Sequence, residues 1–222
     1  MKNFFCFEGG EGVGKTLQIN LLRETLLKNK IKCIVTREPG GSVVAEKIRK
    51  IFVENNEINP YTMLCLILAA RSENIEKTIK TNLEKNIIVI CDRFLLSTIV
   101  YQGIINNIEI ETIKQLHNLI AKNIQPCLTF IFTANPEITI PRVQSKRESN
   151  YLDKVSFETH LKINESYKNY KNYYSHNSVI INAEEEPFSV YNNMIIEFNK
   201  YMNMQIKPFT NNEFDKILNE KC

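Results

Sequence analysis

Glycine is scarce in this chain. There are 7 in 222 residues, and four of them (Gly9, Gly10, Gly12 and Gly14) fall inside FEGGEGVGKT, Phe7 to Thr16. Long apolar runs are missing as well: the longest, Met63 to Ala70, is far short of the roughly 20 residues that a membrane helix needs. The opening MKNFFCFEGG has no h-region or cleavage site, so no secretory leader is expected. Six cysteines (Cys6, Cys33, Cys65, Cys91, Cys127 and Cys222) are scattered without a CxxC pair, and three histidines show no metal-ligand spacing. A disulfide scaffold and a His/Cys metal centre are therefore not expected. The thiols read as reduced, four of them as small buried hydrophobes in β-like runs, and the expected compartment is the cytoplasm. A net charge of +3 lacks the strongly basic stripe of a protein that binds nucleic-acid polymers. No repeat or low-complexity linker divides the sequence, so a single domain with a small appendage is the simplest reading.

What is present alternates. Five apolar runs read as strands: Asn3–Glu8, Lys32–Thr36, Ile87–Cys91, Leu128–Thr133 and Ser178–Asn182. Several are apolar throughout, as parallel strands covered on both faces are. Helical spacing fills the gaps. Lys15–Lys28 puts Leu17, Leu21, Leu22 and Leu26 on one side, and Val43–Phe52 and Ile110–Ile120 have similar periodicity. Pro136 opens a further helix with Asn135 as its cap, and Pro141 then lies inside it. This order predicts an α/β doubly wound domain. SKRESNY, Ser145 to Tyr151, reads as a mobile surface loop, and residues 203–222 as a tail with weak helical character.

The glycine cluster has a chemical explanation. GGEGVGKT, Gly9 to Thr16, fits the G-x-x-x-x-G-K-[ST] pattern, with an apolar strand before it and an amphipathic helix after. Such a loop wraps backbone N–H groups around a phosphate chain, with the helix N-terminus adding further donors. Gly9, Gly10, Glu11, Gly12, Val13, Gly14, Lys15 and Thr16 are thus expected to bind a nucleoside triphosphate. Lys15 would reach the β- and γ-phosphates and Thr16 would hold Mg²⁺. Gly40, Gly41 and Gly103 extend the pattern, because each is expected near the carboxyl end of a strand, where open α/β sheets bind ligands. The third strand ends in Asp92-Arg93, an acidic residue suited to a magnesium shell beside a guanidinium fork suited to phosphate. Arg37, Arg49 and Arg71 are additional cations that, taken singly, read as solvated surface arginines.

Together these residues resemble the thymidylate kinase family. The likeness rests on FEGGEGVGKT (Phe7–Thr16), REPGGS (Arg37–Ser42), AAR (Ala69–Arg71) and DRFLLSTIVYQG (Asp92–Gly103). It implies the P-loop NTPase fold with five parallel strands flanked by helices, a small lid at about residues 142–155 in a kinase domain of residues 1–202, ATP and Mg²⁺ as cofactors, and a homodimer. It also implies phosphoryl transfer from ATP to dTMP. By the family pattern Glu11 contacts the sugar 3′-hydroxyl, Arg37 and Arg93 hold the acceptor phosphate, and Arg71 and Thr98 bond the thymine. Tyr101 crowds the sugar 2′ position, while Gln102 and Arg49 complete the pocket. The lid cations would be Arg142, Lys146 and Arg147. The chain departs from the pattern at Leu17, where a hydroxyl residue is usual, and at Ile67, where an aromatic residue would stack on the base. It departs again at Asp153-Lys154, where an Asp-Arg pair is usual, and at Phe94, which removes a polar handle.

Two polyanions brought together require cations and N–H donors around the transfer point, and no strong base, because the acceptor oxygen is already anionic. A deoxynucleoside kinase would instead need a base and would have little use for paired Arg37 and Arg93. Another nucleoside monophosphate kinase remains a near alternative. A GTPase-type switch would carry an Asn-Lys-x-Asp sequence, which this chain lacks.

Overall fold

The structure, a computed structural model, describes residues 3–55, 57–144 and 156–221. The chain runs β1 (Phe4–Gly9), α1 (Lys15–Lys28), β2 (Cys33–Arg37), α2 (Val43–Glu54) and α3 (Pro60–Asn74). It continues through a π-turn segment (Ile75–Ile79) into α4 (Lys80–Glu84), then β3 (Ile88–Asp92) and α5 (Leu95–Thr98). A second π segment (Ile99–Ile105) leads to α6 (Ile110–Ala121), β4 (Leu128–Thr133) and α7 (Pro136–Gln144). The remainder is α8 (Phe157–Lys168), β5 (Ser178–Asn182), α9 (Pro187–Met202) and α10 (Asn211–Lys221). The five strands form one sheet in the order β2-β3-β1-β4-β5, and every neighbouring pair is parallel.

The expected strands appear with boundaries moved by at most a residue. β1 and β4 are buried along their whole length, whereas the edge strands β2 and β5 leave Val35 and Ile180 exposed. Leu21, Leu22 and Leu26 seal α1 against the sheet, and Leu17 packs at the margin. Local chemistry sets the helix starts. Ser42 Oγ accepts from Ala45 N (3.1 Å) at α2, and Asn59 Oδ1 accepts from Tyr61 N (2.9 Å) just ahead of Pro60 at α3. Asn135 Oδ1 accepts from Glu137 N (3.1 Å), and α7 carries Pro141 in its interior.

Two cores flank the sheet. One lies under α3, α6 and α8, the other under α1 and α9. The segment after α9 joins the second: Ile206, Phe209 and Phe214 are buried, and the Phe214 ring meets Phe188 edge-on at 5.0 Å. One sequence expectation fails here. Gly103 does not line the ligand-facing rim but lies within the second π segment. A Cβ there would meet Ile110 and Ile113 of α6 at 3.2 and 3.3 Å. The close approach of α6 leaves little room for a side chain at this position.

Candidate active site

At the carboxyl ends of β1, β2 and β3 the chain leaves a cleft of about 250 Å³. The loop after β1 forms one wall. Gly14 caps α1 in the left-handed conformation at φ 84°, so the chain turns straight into the helix. Lys15 folds back over this loop, its Nζ donating to Gly9 O (2.9 Å) and Gly10 O (2.7 Å). Burial pushes the Lys15 ammonium down from 10.5 to about 8; Arg93 adds to the shift and Glu11 opposes it. Thr16 faces the same cleft with Asp92, whose Oδ1 is buried and has no hydrogen-bond partner among the described residues.

Arg93 stands opposite. Its backbone adopts a φ of 71°, and its N–H donates to Phe7 O (2.9 Å), which aims the side chain back over the loop. Nη1 donates to Gly9 O (3.1 Å) and Ser97 Oγ (3.0 Å), Nη2 pairs with Glu11, and the guanidinium lies 5.1 Å from the Tyr101 ring centroid.

The far end of the cleft is organised around Arg71, which is 1% exposed. Its Nε donates to Glu38 Oε2 (2.6 Å) and its Nη2 to Thr98 Oγ1 (2.8 Å). Its guanidinium lies 4.9 Å from the Phe94 ring centroid. His117 closes the third side with Nδ1 at 3.4 Å from Arg71 Nη1. Burial, and then Arg71, drive that imidazole down to about 3, so it is neutral and accepts from the arginine. Its Nε2 then carries the hydrogen. The Gln125 amide, with Nε2 at 3.3 Å and Oε1 unpartnered, satisfies it by turning over. Phe94, which lacks a polar handle, is thus the platform on which Arg71 and His117 rest.

Eleven of the expected residues line this one cleft: Glu11, Lys15, Thr16, Arg49, Ile67, Arg71, Asp92, Arg93, Thr98, Tyr101 and Gln102. Arg49 donates to Pro39 O (2.8 Å), which steadies the loop after β2. Ile67 offers an aliphatic wall, joined by the Phe52 ring from α2. Arg37 lines an adjoining cavity with Thr16, Asp92 and Arg93, and its exposed side chain pairs with Glu46 at 3.0 Å. Arg71 is the residue whose reading as a solvated arginine the structure reverses. Arg142 lies outside the cleft, with Nη1 donating to Ala183 O (3.1 Å). Lys146 and Arg147, and with them most of the expected lid, fall outside the described residues. The site also uses Glu8, Glu38, Ser97, His117 and Tyr167, which had no assigned role. Glu8 and Ser97 are polar residues beside or within apolar runs, Glu38 falls in REPGGS, and His117 and Tyr167 lie in mixed or polar helical stretches that mark neither of them.

A phosphate-wrapping loop at the end of a parallel sheet, facing a second pocket of arginines and hydroxyls, defines a P-loop protein built to hold two ligands end to end. The chain belongs to the thymidylate kinase family: the model of that family, "Thymidylate kinase", matches residues 7–195. It is 36% identical to a thymidylate kinase of Thermoanaerobacter sp. (strain X514) over 200 residues, 90% of this chain and 98% of the other. The thymidylate kinase of Mycoplasma capricolum subsp. capricolum is likewise 36% identical, over 86% of this chain and 92% of its own. The crystal structure of thymidylate kinase from Ehrlichia chaffeensis superposes with a TM-score of 0.70 at 29% identity, covering 88% of this chain and 97% of that one.

Proposed function

We propose that this chain transfers the γ-phosphoryl group of ATP to dTMP, giving dTDP and ADP. The observation that carries the reading is the single cleft joining Lys15 and the loop after β1 to the buried Arg71–Thr98 pair. ATP binds on the loop, its phosphate oxygens replacing the Gly9 and Gly10 carbonyls as partners of Lys15. The acceptor phosphate takes the free edge of Arg93, with Arg37 as the second cation once it leaves Glu46. Glu11, released from Arg93, turns to the sugar 3′-hydroxyl. Thr98 Oγ1 already accepts from Arg71, so its own hydrogen is left to point at a base carbonyl. Tyr101, Gln102 and Arg49 enclose the sugar and phosphate. Neither substrate needs deprotonation, and the cations lower the repulsion between two anions.

Thr16 and the unpartnered Asp92 carboxylate oxygen are an all-oxygen donor set that fits Mg²⁺. When bound, that ion supplies charge neutralisation at the phosphates. The lid, at about residues 142–155, would bring Arg142, Lys146 and Arg147 to the transferring group. The family pattern also supports a homodimer. Exposed Val43, Ile51 and Tyr61 on α2 and α3 fit that assembly, which sedimentation equilibrium would test. No helix among the described residues is long and apolar enough to cross a membrane, and the proposed compartment is the cytoplasm.

The deciding assay is ADP release across a panel of nucleoside monophosphates with ATP and Mg²⁺, run beside Lys15→Ala. Turnover is expected to be highest with dTMP, and the variant to lose at least about 100-fold in kcat/KM. Turnover of thymidine in place of dTMP, or activity indifferent to every monophosphate, would refute the reading.

A further inference from the structure

Arg93 is anchored from behind by a group of buried polar side chains that none of the roles above uses. Glu8, the penultimate residue of β1, is fully buried, and among the described residues no arginine or lysine is bonded to its carboxylate. A carboxyl group in that position is satisfied only by hydrogen-bond partners within the protein. Four are supplied. Oε1 accepts from Phe94 N (2.8 Å) and Ser97 N (3.2 Å), while Oε2 accepts from Ser97 Oγ and from Tyr167 OH at 3.5 Å. Ser97 Oγ and Tyr167 OH are themselves 2.9 Å apart.

This arrangement turns both hydroxyl hydrogens away from Arg93. The Ser97 hydrogen goes to Glu8, and the Tyr167 hydrogen goes to Ser97 or Glu8. Both oxygens therefore turn lone pairs toward Arg93, whose Nη1 lies 3.0 Å from Ser97 Oγ and 3.3 Å from Tyr167 OH. With Gly9 O added at 3.1 Å, the two hydrogens of Nη1 are fully committed. Only Nη2 and Nε remain to face the cleft.

We propose that Glu8, Ser97 and Tyr167 are positioning residues that set the orientation of the Arg93 fork and tie it to α8. Tyr167 is fully buried near the end of that helix. One turn earlier, Ile163 lies against Gly10, 3.5 Å from where a Cβ would be. A shift of α8 is thus felt by the phosphate loop and by Arg93 together. Tyr167 touches no substrate in this scheme; it acts through the arginine. The inference rests on the reading that Arg93 serves the acceptor phosphate.

Tyr167→Phe removes one oxygen and keeps the packed ring. Its kcat with dTMP is expected to fall about 10-fold, the effect of losing one hydrogen bond to a charged group. ATP affinity by calorimetry should be unchanged. Ser97→Ala should behave alike. Because the route runs through Arg93, adding Tyr167→Phe to Arg93→Ala should cost nothing further. An unchanged kcat for Tyr167→Phe beside a crippled Arg93→Ala overturns the relay alone, as does a loss that multiplies independently in the double variant. An Arg93→Ala enzyme with normal turnover would overturn the role of Arg93, and the relay with it.

Discussion

Arg71→Ala removes the cation from a pair sealed off from water, with side-chain exposures of 1% for Arg71 and 3% for Glu38. The substitution takes away the Nε donor at 2.6 Å from Glu38, the Nη2 donor at 2.8 Å from Thr98 and the contact with the Phe94 ring. Among the described residues Glu38 then keeps only Asn74 Nδ2, at 3.3 Å, as a side-chain partner. Deleting one member of a buried pair costs about 3–5 kcal/mol, because the stranded charge is neither solvated nor compensated. The loss should also depend on pH. Burial raises the Glu38 carboxyl above its ordinary 4.5, and Arg71 is the main influence holding it down, so removing Arg71 raises it further. A carboxyl with a raised folded-state pKa stabilises the fold below its unfolded value, and that contribution is lost as pH climbs through the folded value. The deficit is therefore largest at about pH 8 and shrinks as pH falls through the raised folded-state value toward the ordinary carboxylate range, as Glu38 takes up its proton. Urea unfolding followed by circular dichroism across that range measures it, and adding Glu38→Gln should return part of the loss at the upper end. A deficit below about 1 kcal/mol at pH 8, or one flat with pH, would refute the argument, since that is the worth of an exposed pair.

Two further substitutions separate local from tertiary constraints. Gly14 and Gly41 have nearly the same φ (84° and 87°), but a Cβ on Gly14 meets nothing within 4 Å, whereas one on Gly41 runs into Thr36 Oγ1 and Asn74 Oδ1. Gly14→Ala should cost about 1–2 kcal/mol of backbone strain. Gly41→Ala should cost about 1–3 kcal/mol more by displacing the buried Thr36–Asn74 hydrogen bond; equal urea midpoints would contradict this. Phe214→Ala should destabilise the chain by about 3–5 kcal/mol, because its 4%-exposed ring packs on Phe188 and Tyr191. A loss under about 1 kcal/mol in the same unfolding experiment would mean that α10 is not part of the core.

The parts legible in the amino-acid order are those whose physics is local. The periodicity of Lys15–Lys28 and the apolar runs Leu128–Thr133 and Ser178–Asn182 define elements with the same ends in the structure. The phosphate loop is complete within eight residues, because one strand, one turn and one helix start suffice to wrap an anion. Gly103 and Arg71 show where that reading stops: a glycine looks the same whether it admits a ligand or a neighbouring helix, and an arginine looks solvated until its partners are known. Those partners are distant in the chain. Glu38 is 33 residues from Arg71 and His117 is 46, while Glu8 meets Tyr167 across 159. Burial makes such pairs obligatory, since a charge withdrawn from water needs a partner, but only the order β2-β3-β1-β4-β5 decides which side chain arrives to supply it.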